Sequence, residues 1–359
     1  MKVTPQNTFR TAGIWQAAQA ASVMGAISVA GLLILQPEWG LYVTWYVLVP
    51  LVPALLLLAP RLWRNLCPIS VVHQLPRVAN RSGRRRLKAS TQRWTPAIAM
   101  TGLFLIVPLR HPIFNVSGPA LAALLVGVLV VALLGGLLFA GKAGWCSSFC
   151  PVVPVERLYG QQPLMSPRHA HCAECVGCSA PCFDRHGARA VARMAGAEAG
   201  VDGRETPLWR TPTSAFAAGF PGFVLGYFTV EPASPIPVLY FHVALFTAGA
   251  LLLFAVGQEV FRFRTLSGVR WGAAIAAALY YWFTVPAVIA QTEFMWGIVS
   301  FPGWLTIAAR AVFLGLVILW LVDAPRRERA GASTGGGGAL TKGVSPSSVR
   351  SPAKDPRRT

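Results

Sequence analysis

Charge, and acidic charge above all, is what this 359-residue sequence lacks. Charged residues make up 13% of it, and only 13 are Asp or Glu against 32 Lys or Arg. A soluble domain carries about 25% charged residues. Stretches this poor in charge have nothing to hold them in water, so the two or three soluble domains that length alone suggests are excluded. The shortage of acidic residues within the apolar runs argues against proton-coupled transport. No H-E-x-x-H, Walker loop or Ser-His-Asp arrangement points to a metalloprotease, an NTPase or a hydrolase. The first ten residues are polar and the first apolar run is too long for the h-region of a signal peptide, so no cleavable signal is expected. Seven cysteines, an odd number and mostly clustered, do not make a secreted disulfide framework.

What the sequence has is apolar residues, 54% of the chain. Runs long enough to cross a bilayer, which takes about 20 residues, fall at 13–35, 41–59, 95–110, 119–140, 213–230, 238–258, 271–291 and 304–322. The expected fold is an all-α polytopic membrane protein of about eight transmembrane helices. The third run is short and contains Pro108, and the fifth is interrupted by Gly219 and Pro221. Four helices and a basic loop, 61–94, fill 1–141. A cysteine-bearing loop spans 142–212, four more helices 213–322, and a Gly/Ser/Pro-rich basic tail, expected to be disordered, 323–359.

With eight spans and a cytoplasmic N-terminus, the inside segments are 1–12, 61–94, 142–212, 259–270 and 323–359. They hold 30 of the 32 Lys and Arg residues. Positive-inside bias sets orientation, so a multi-pass protein of the cytoplasmic membrane with both termini inside is expected. The net charge of +19 is then topological. It is spread over five segments, which leaves membrane lipid rather than nucleic acid as the partner it implies. Of the remaining two, Arg310 lies inside the last run and is expected to snorkel to the outer surface. Trp39, Trp45, Trp271 and Trp304 read as interfacial anchors, and His111 and His242 as hydrogen-bonded rather than haem-ligating.

All seven cysteines fall in inside segments, where thiols stay reduced and are available as ligands. Cys172, Cys175, Cys178 and Cys182 form a C-x2-C-x2-C-x3-C run within "HCAECVGCSAPCF". Closely spaced thiolates suit a cuboidal iron–sulfur cluster, whereas structural zinc prefers two pairs separated by a longer loop. Cys67, Cys146 and Cys150 are further candidate ligands or a redox pair. An internal repeat links them: "WRNLCPISVVHQLPR" (63–77) aligns with "CSSFCPVVPVERLYG" (146–160). Cys67-Pro68 then matches Cys150-Pro151, and Trp63 stands opposite Cys146. Two 4Fe-4S clusters need eight cysteines and the chain has seven. The alternatives are one cluster, or two with His169, His171 or Asp184 as an extra ligand or an open iron.

"GWCSSFCPVVPVERLYG" followed by "HCAECVGCSAPC" resembles the membrane-bound 4Fe-4S ferredoxin-like proteins that accompany periplasmic nitrate reductase, nitrous-oxide reductase and cbb3 oxidase assembly. The resemblance covers about 40–185 and implies that Cys172, Cys175, Cys178 and Cys182 are cluster ligands, with Cys146 and Cys150 a membrane-edge pair. Nitrate-reductase-type members carry two ferredoxin motifs where this chain has one. The expected function is relay of electrons at the cytoplasmic face to or from a redox partner protein or the quinone pool. Such a chain is an electron-transfer component rather than a stand-alone catalyst. A redox or metal sensor, an assembly factor, and a transporter with a zinc-stapled loop are the alternatives.

Overall fold

The computed structural model describes residues 5–79, 81–83, 85, 87–139, 144–165, 183–197, 206–297 and 300–335. Its long helices are α1 (Pro5–Leu35), α6 (Ala89–Ile106), α7 (Gly118–Leu138), α10 (Pro212–Thr229), α11 (Ile236–Phe261), α12 (Thr265–Trp296) and α13 (Gly303–Gly335). Shorter ones are α2 (Pro37–Tyr42), α3 (Val49–Leu58), α4 (Pro60–Leu66), α5 (Pro68–Val78), α8 (Val153–Tyr159) and α9 (Phe183–Met194). There is no β-strand among the described residues. Six segments are long and apolar enough to cross a bilayer: Gly13–Leu35, Pro37–Leu58, Gly118–Leu138, Ile236–Phe261, Thr265–Trp296 and Gly303–Asp323. The protein is therefore an all-α polytopic membrane protein. In a bilayer, backbone amides must be satisfied internally, and helices do this within one segment.

Two of the eight expected spans fall short of that standard. The apolar part of α6, Trp94–Arg110, is shorter. The other is α10, diluted by three glycines and Pro221. Its composition follows from its place. α10 lies between α11 and α12 and is the most deeply covered helix, with Phe216, Phe220, Phe223 and Val224 in the main hydrophobic core. A Cβ on Gly222 would stand 2.0 Å from the Phe246 carbonyl of α11, and one on Gly272 of α12 would stand 2.1 Å from the Ala217 carbonyl of α10. Helices in lipid associate through such small residues, so the features that lower the hydropathy of α10 are its packing contacts.

Local signals set the helix ends. Ser117 accepts a hydrogen bond from Ala120 N at 3.3 Å and Thr211 accepts one from Ser214 N at 3.2 Å, each with a proline in the first turn of the helix it caps. Gly297 ends α12 in the left-handed region at φ 61°. The second span is not one regular helix: a π-helical stretch, Val43–Leu48, joins α2 to α3. The basic loop 61–94 contains α4, α5 and the start of α6. From 323 to 335 the chain continues α13, and residues 336–359 lie outside the described ones.

The internal repeat is visible as an exchange. α5, which follows the second span, packs on α7. α8, which follows α7, packs on α3 at the end of the second span. Backbone bonds pin both arms: Gly83 N–H to Leu137 O at 2.7 Å on one side, Leu164 N–H to Leu57 O at 3.2 Å and Met165 N–H to Leu58 O at 2.7 Å on the other. Each C-P motif therefore rests on the span that leads into the other.

Two alanine substitutions in α7 are expected to differ in sign. A Cβ on Gly136 would lie 2.0 Å from the His73 carbonyl of α5, whereas nothing lies within 4 Å of one on Gly127. Gly136→Ala should destabilise by about 1–3 kcal/mol through overpacking, and Gly127→Ala should stabilise by up to ~1 kcal/mol through helix propensity. Thermal unfolding in detergent distinguishes them; a similar loss in both variants would contradict the close α5–α7 contact.

Candidate cysteine site at one end of the bundle

The site is built by two Cys-Pro steps. A residue before proline is pushed out of the α region, and Cys67 accordingly stops α4 at φ −56°, ψ 118°. Its carbonyl then accepts from Val71 N at 3.0 Å, so Cys67 also starts α5. Cys150 repeats the pattern, its carbonyl accepting from Val153 N at 3.0 Å as α8 begins. Before Cys150, the amides of Ser148, Phe149 and Cys150 converge on the Trp145 carbonyl at 3.0, 3.0 and 3.2 Å. The C-x3-C segment is thus a hydrogen-bonded turn rather than a regular helix face.

Through the exchange of the two arms, Cys67 comes into the electrostatic neighbourhood of Cys150, on which Cys146 also acts. All three are partly buried. Burial pushes the Cys150 thiol far above its usual range. The Val152 amide pulls it down, while Cys146, Cys67 and Glu156 raise it further. Burial of this kind disfavours the thiolate.

Behind the thiols lies a buried ion pair. Arg64, three residues before Cys67, is hydrogen-bonded to Glu156, six residues after Cys150, and neither is more than 7% exposed. Sequence reasoning missed it, because the repeat aligns Arg64 with Ser147 and Glu156 with His73. His73 is itself buried against Gly135 of α7. Two nearby buried donors have no partner among the described residues: the Asn65 amide, fully enclosed and two residues before Cys67, and the Trp145 indole N–H beside Cys146.

The four cysteines of the run, Cys172, Cys175, Cys178 and Cys182, lie outside the described residues, as do His169 and His171. The chain on either side of the run is held at this same end of the bundle. Met165 is bonded to the end of α3, and α9 packs on α8 with Gly187 against Gly160 and Gln161. Arg157 joins the pieces, donating to the Ser147 carbonyl at 2.8 Å and to Met194 Sδ of α9 at 3.5 Å. Among the described residues no three His, Cys, Asp or Glu side chains stand close enough to chelate a single metal ion.

At the opposite end, His111 stacks on Tyr227 at 4.5 Å and its Nε2 lies 3.1 Å from the Tyr227 carbonyl. His242 Nε2 lies 3.1 Å from Thr229 Oγ1. Both histidines are thus engaged with α10. Trp45 donates to the Phe114 carbonyl at 2.8 Å and carries the Arg110 guanidinium 4.3 Å above its ring. Comparison with known protein families, with curated proteins and with solved structures returned no match.

Proposed function

We propose that this chain is a membrane-anchored iron–sulfur protein that relays electrons at the cytoplasmic face of the membrane. The approach of Cys67 and Cys146 to Cys150 at the end of the bundle that also anchors the cysteine run is the observation that carries this reading. Met165 and Cys172 are seven residues apart, a reach of up to about 25 Å for an extended chain, so the run can meet these three thiols. A cuboidal cluster takes several thiolates, which the cysteines supply in number, and the Asn65 amide and Trp145 indole are N–H donors with no partner among the described residues. Hydrogen bonds to sulfur and burial are what tune such clusters.

Cys172, Cys175, Cys178 and Cys182 would hold the cluster, with Cys67, Cys146 or Cys150 completing it or a second one. A 4Fe-4S cluster supplies one-electron transfer. The chain's own part is to hold the thiols together through the exchanged arms, to offer amide and indole donors, and to keep water from the Arg64–Glu156 side of the site. The positive-inside bias supports the cytoplasmic placement, and a redox partner protein or the quinone pool would exchange the electron.

Anaerobic purification with iron, zinc and acid-labile sulfide analysis, absorbance and EPR tests this. Brown protein with about four or eight irons and matching sulfide per chain is expected; colourless protein with one zinc and no sulfide would overturn it. Cys67→Ser should then change the cluster content or the EPR spectrum, and unchanged values in both would remove Cys67 from the ligand set.

A further inference from the structure

α11 and α12 pack chiefly on α10 and little on one another, which leaves a cleft between them near the turn that joins them. It measures about 300 Å³ and is lined by Leu253, Gly257, Phe261, Phe263, Trp271 and Ile275. Its walls face outward, with Leu253 and Phe261 each more than 70% exposed and Trp271 54%. The turn is firmly built. Gln258 accepts from Leu208 N at 2.9 Å and donates to Thr265 Oγ1 at 3.2 Å. Phe263 folds back between Gly257 and Gly268, where a Cβ would stand 3.5 and 2.8 Å from its ring. Flanking it, Arg262 and Arg264 are exposed. Arg262 is the one non-glycine residue with positive φ among the described residues, at 54°. A side chain disfavours that conformation, and here it puts a cationic residue between Phe261 and Phe263, both of which line the cleft.

We propose that this cleft binds one anionic phospholipid, an acyl chain lying against Phe263 and Trp271 and the phosphate at Arg262 and Arg264. The charge pattern selects the occupant: any lipid tail satisfies the apolar walls, but two exposed arginines at the rim favour a headgroup with net negative charge. Basic pockets between spanning helices recognise lipids in this way. The site is independent of whether the cysteines hold iron.

The test uses full-length protein in detergent, titrated with phosphatidylglycerol or phosphatidylcholine carrying the same brominated chains. The readout is the tryptophan quenching that disappears in Trp271→Phe. Phosphatidylglycerol should half-saturate this signal at about tenfold lower concentration, with the margin shrinking as salt rises. Arg262→Asn with Arg264→Gln keeps a residue tolerant of positive φ, so the melting temperature should hold while the preference falls below about twofold. Gly257→Leu should fill the cleft and remove the Trp271 signal for both lipids. Equal affinity for the two lipids, a preference that survives in the arginine double variant, or Trp271 quenching unchanged by Gly257→Leu would each overturn the proposal.

Discussion

Glu156→Ala is expected to destabilise the protein by about 3–5 kcal/mol, among the largest effects of any single substitution outside the spans. Removing one partner of a buried ion pair leaves the other charged in a largely desolvated site. Arg64 is 7% exposed on an arm whose surroundings were shaped for the pair. The pair is not expected to add much net stability over an apolar substitute, since desolvating both ions offsets most of their attraction. Arg64→Met combined with Glu156→Leu should therefore recover most of the loss. The pair also joins the two arms of the repeat, so the single variant should loosen the contact between the Cys67 and Cys150 motifs. Faster maleimide labelling of Cys150 in metal-free protein would report this. Denaturant titration in mixed micelles gives the energies; a double variant as unstable as Glu156→Ala would mean that the two residues act separately.

That pair marks a limit of what the sequence makes legible. The spans are plain in it because about 20 apolar residues in lipid have no stable form other than helix. α10 was blurred for a physical reason: Gly219 and Pro221 read as interruptions, but with α11 and α12 covering it the helix needs close contact more than hydropathy. The repeat at Cys67 and Cys150 was visible through four identities. Its meaning, that each arm packs on the other unit's span, was not, because alignment pairs residues by equivalence and contact here crosses between units. Arg64 meets Glu156, not its aligned residue. Asn65 and Trp145 carried no signal at all, since an unpartnered donor exists only once its neighbours are placed. Arg310 was expected to snorkel outward. It bonds instead to the carbonyl of Trp282, and the clue was Pro286, four residues further on.

Arg310→Met is expected to cost about 2–3 kcal/mol with Pro286 present and less than ~1 kcal/mol in a Pro286→Ala background. Proline has no N–H, so the carbonyl four residues earlier in a helix loses its donor. In α12 that carbonyl belongs to Trp282. Arg310 of α13 supplies two donors to it, Nε at 3.0 Å and Nη2 at 2.8 Å, and lays its guanidinium 4.2 Å from the centre of the Trp282 ring. An unsatisfied carbonyl in lipid costs several kcal/mol, and a desolvated cation–π contact adds about 2 kcal/mol. Together they exceed the roughly 2.5–3.5 kcal/mol that a mid-membrane arginine costs to insert. Once Pro286→Ala restores the missing N–H, the helix satisfies the carbonyl itself, and removing Arg310 then sheds an insertion cost instead of a needed bond. Pro286→Ala alone should be close to neutral or stabilising, because it restores the helix bond while the cation–π contact remains. A snorkelling arginine would behave differently: its replacement would cost the same whatever residue stands at 286. A double-mutant cycle by denaturant titration in mixed micelles separates the two. A coupling energy within about 0.5 kcal/mol of zero would show that Pro286 and Arg310 are unrelated.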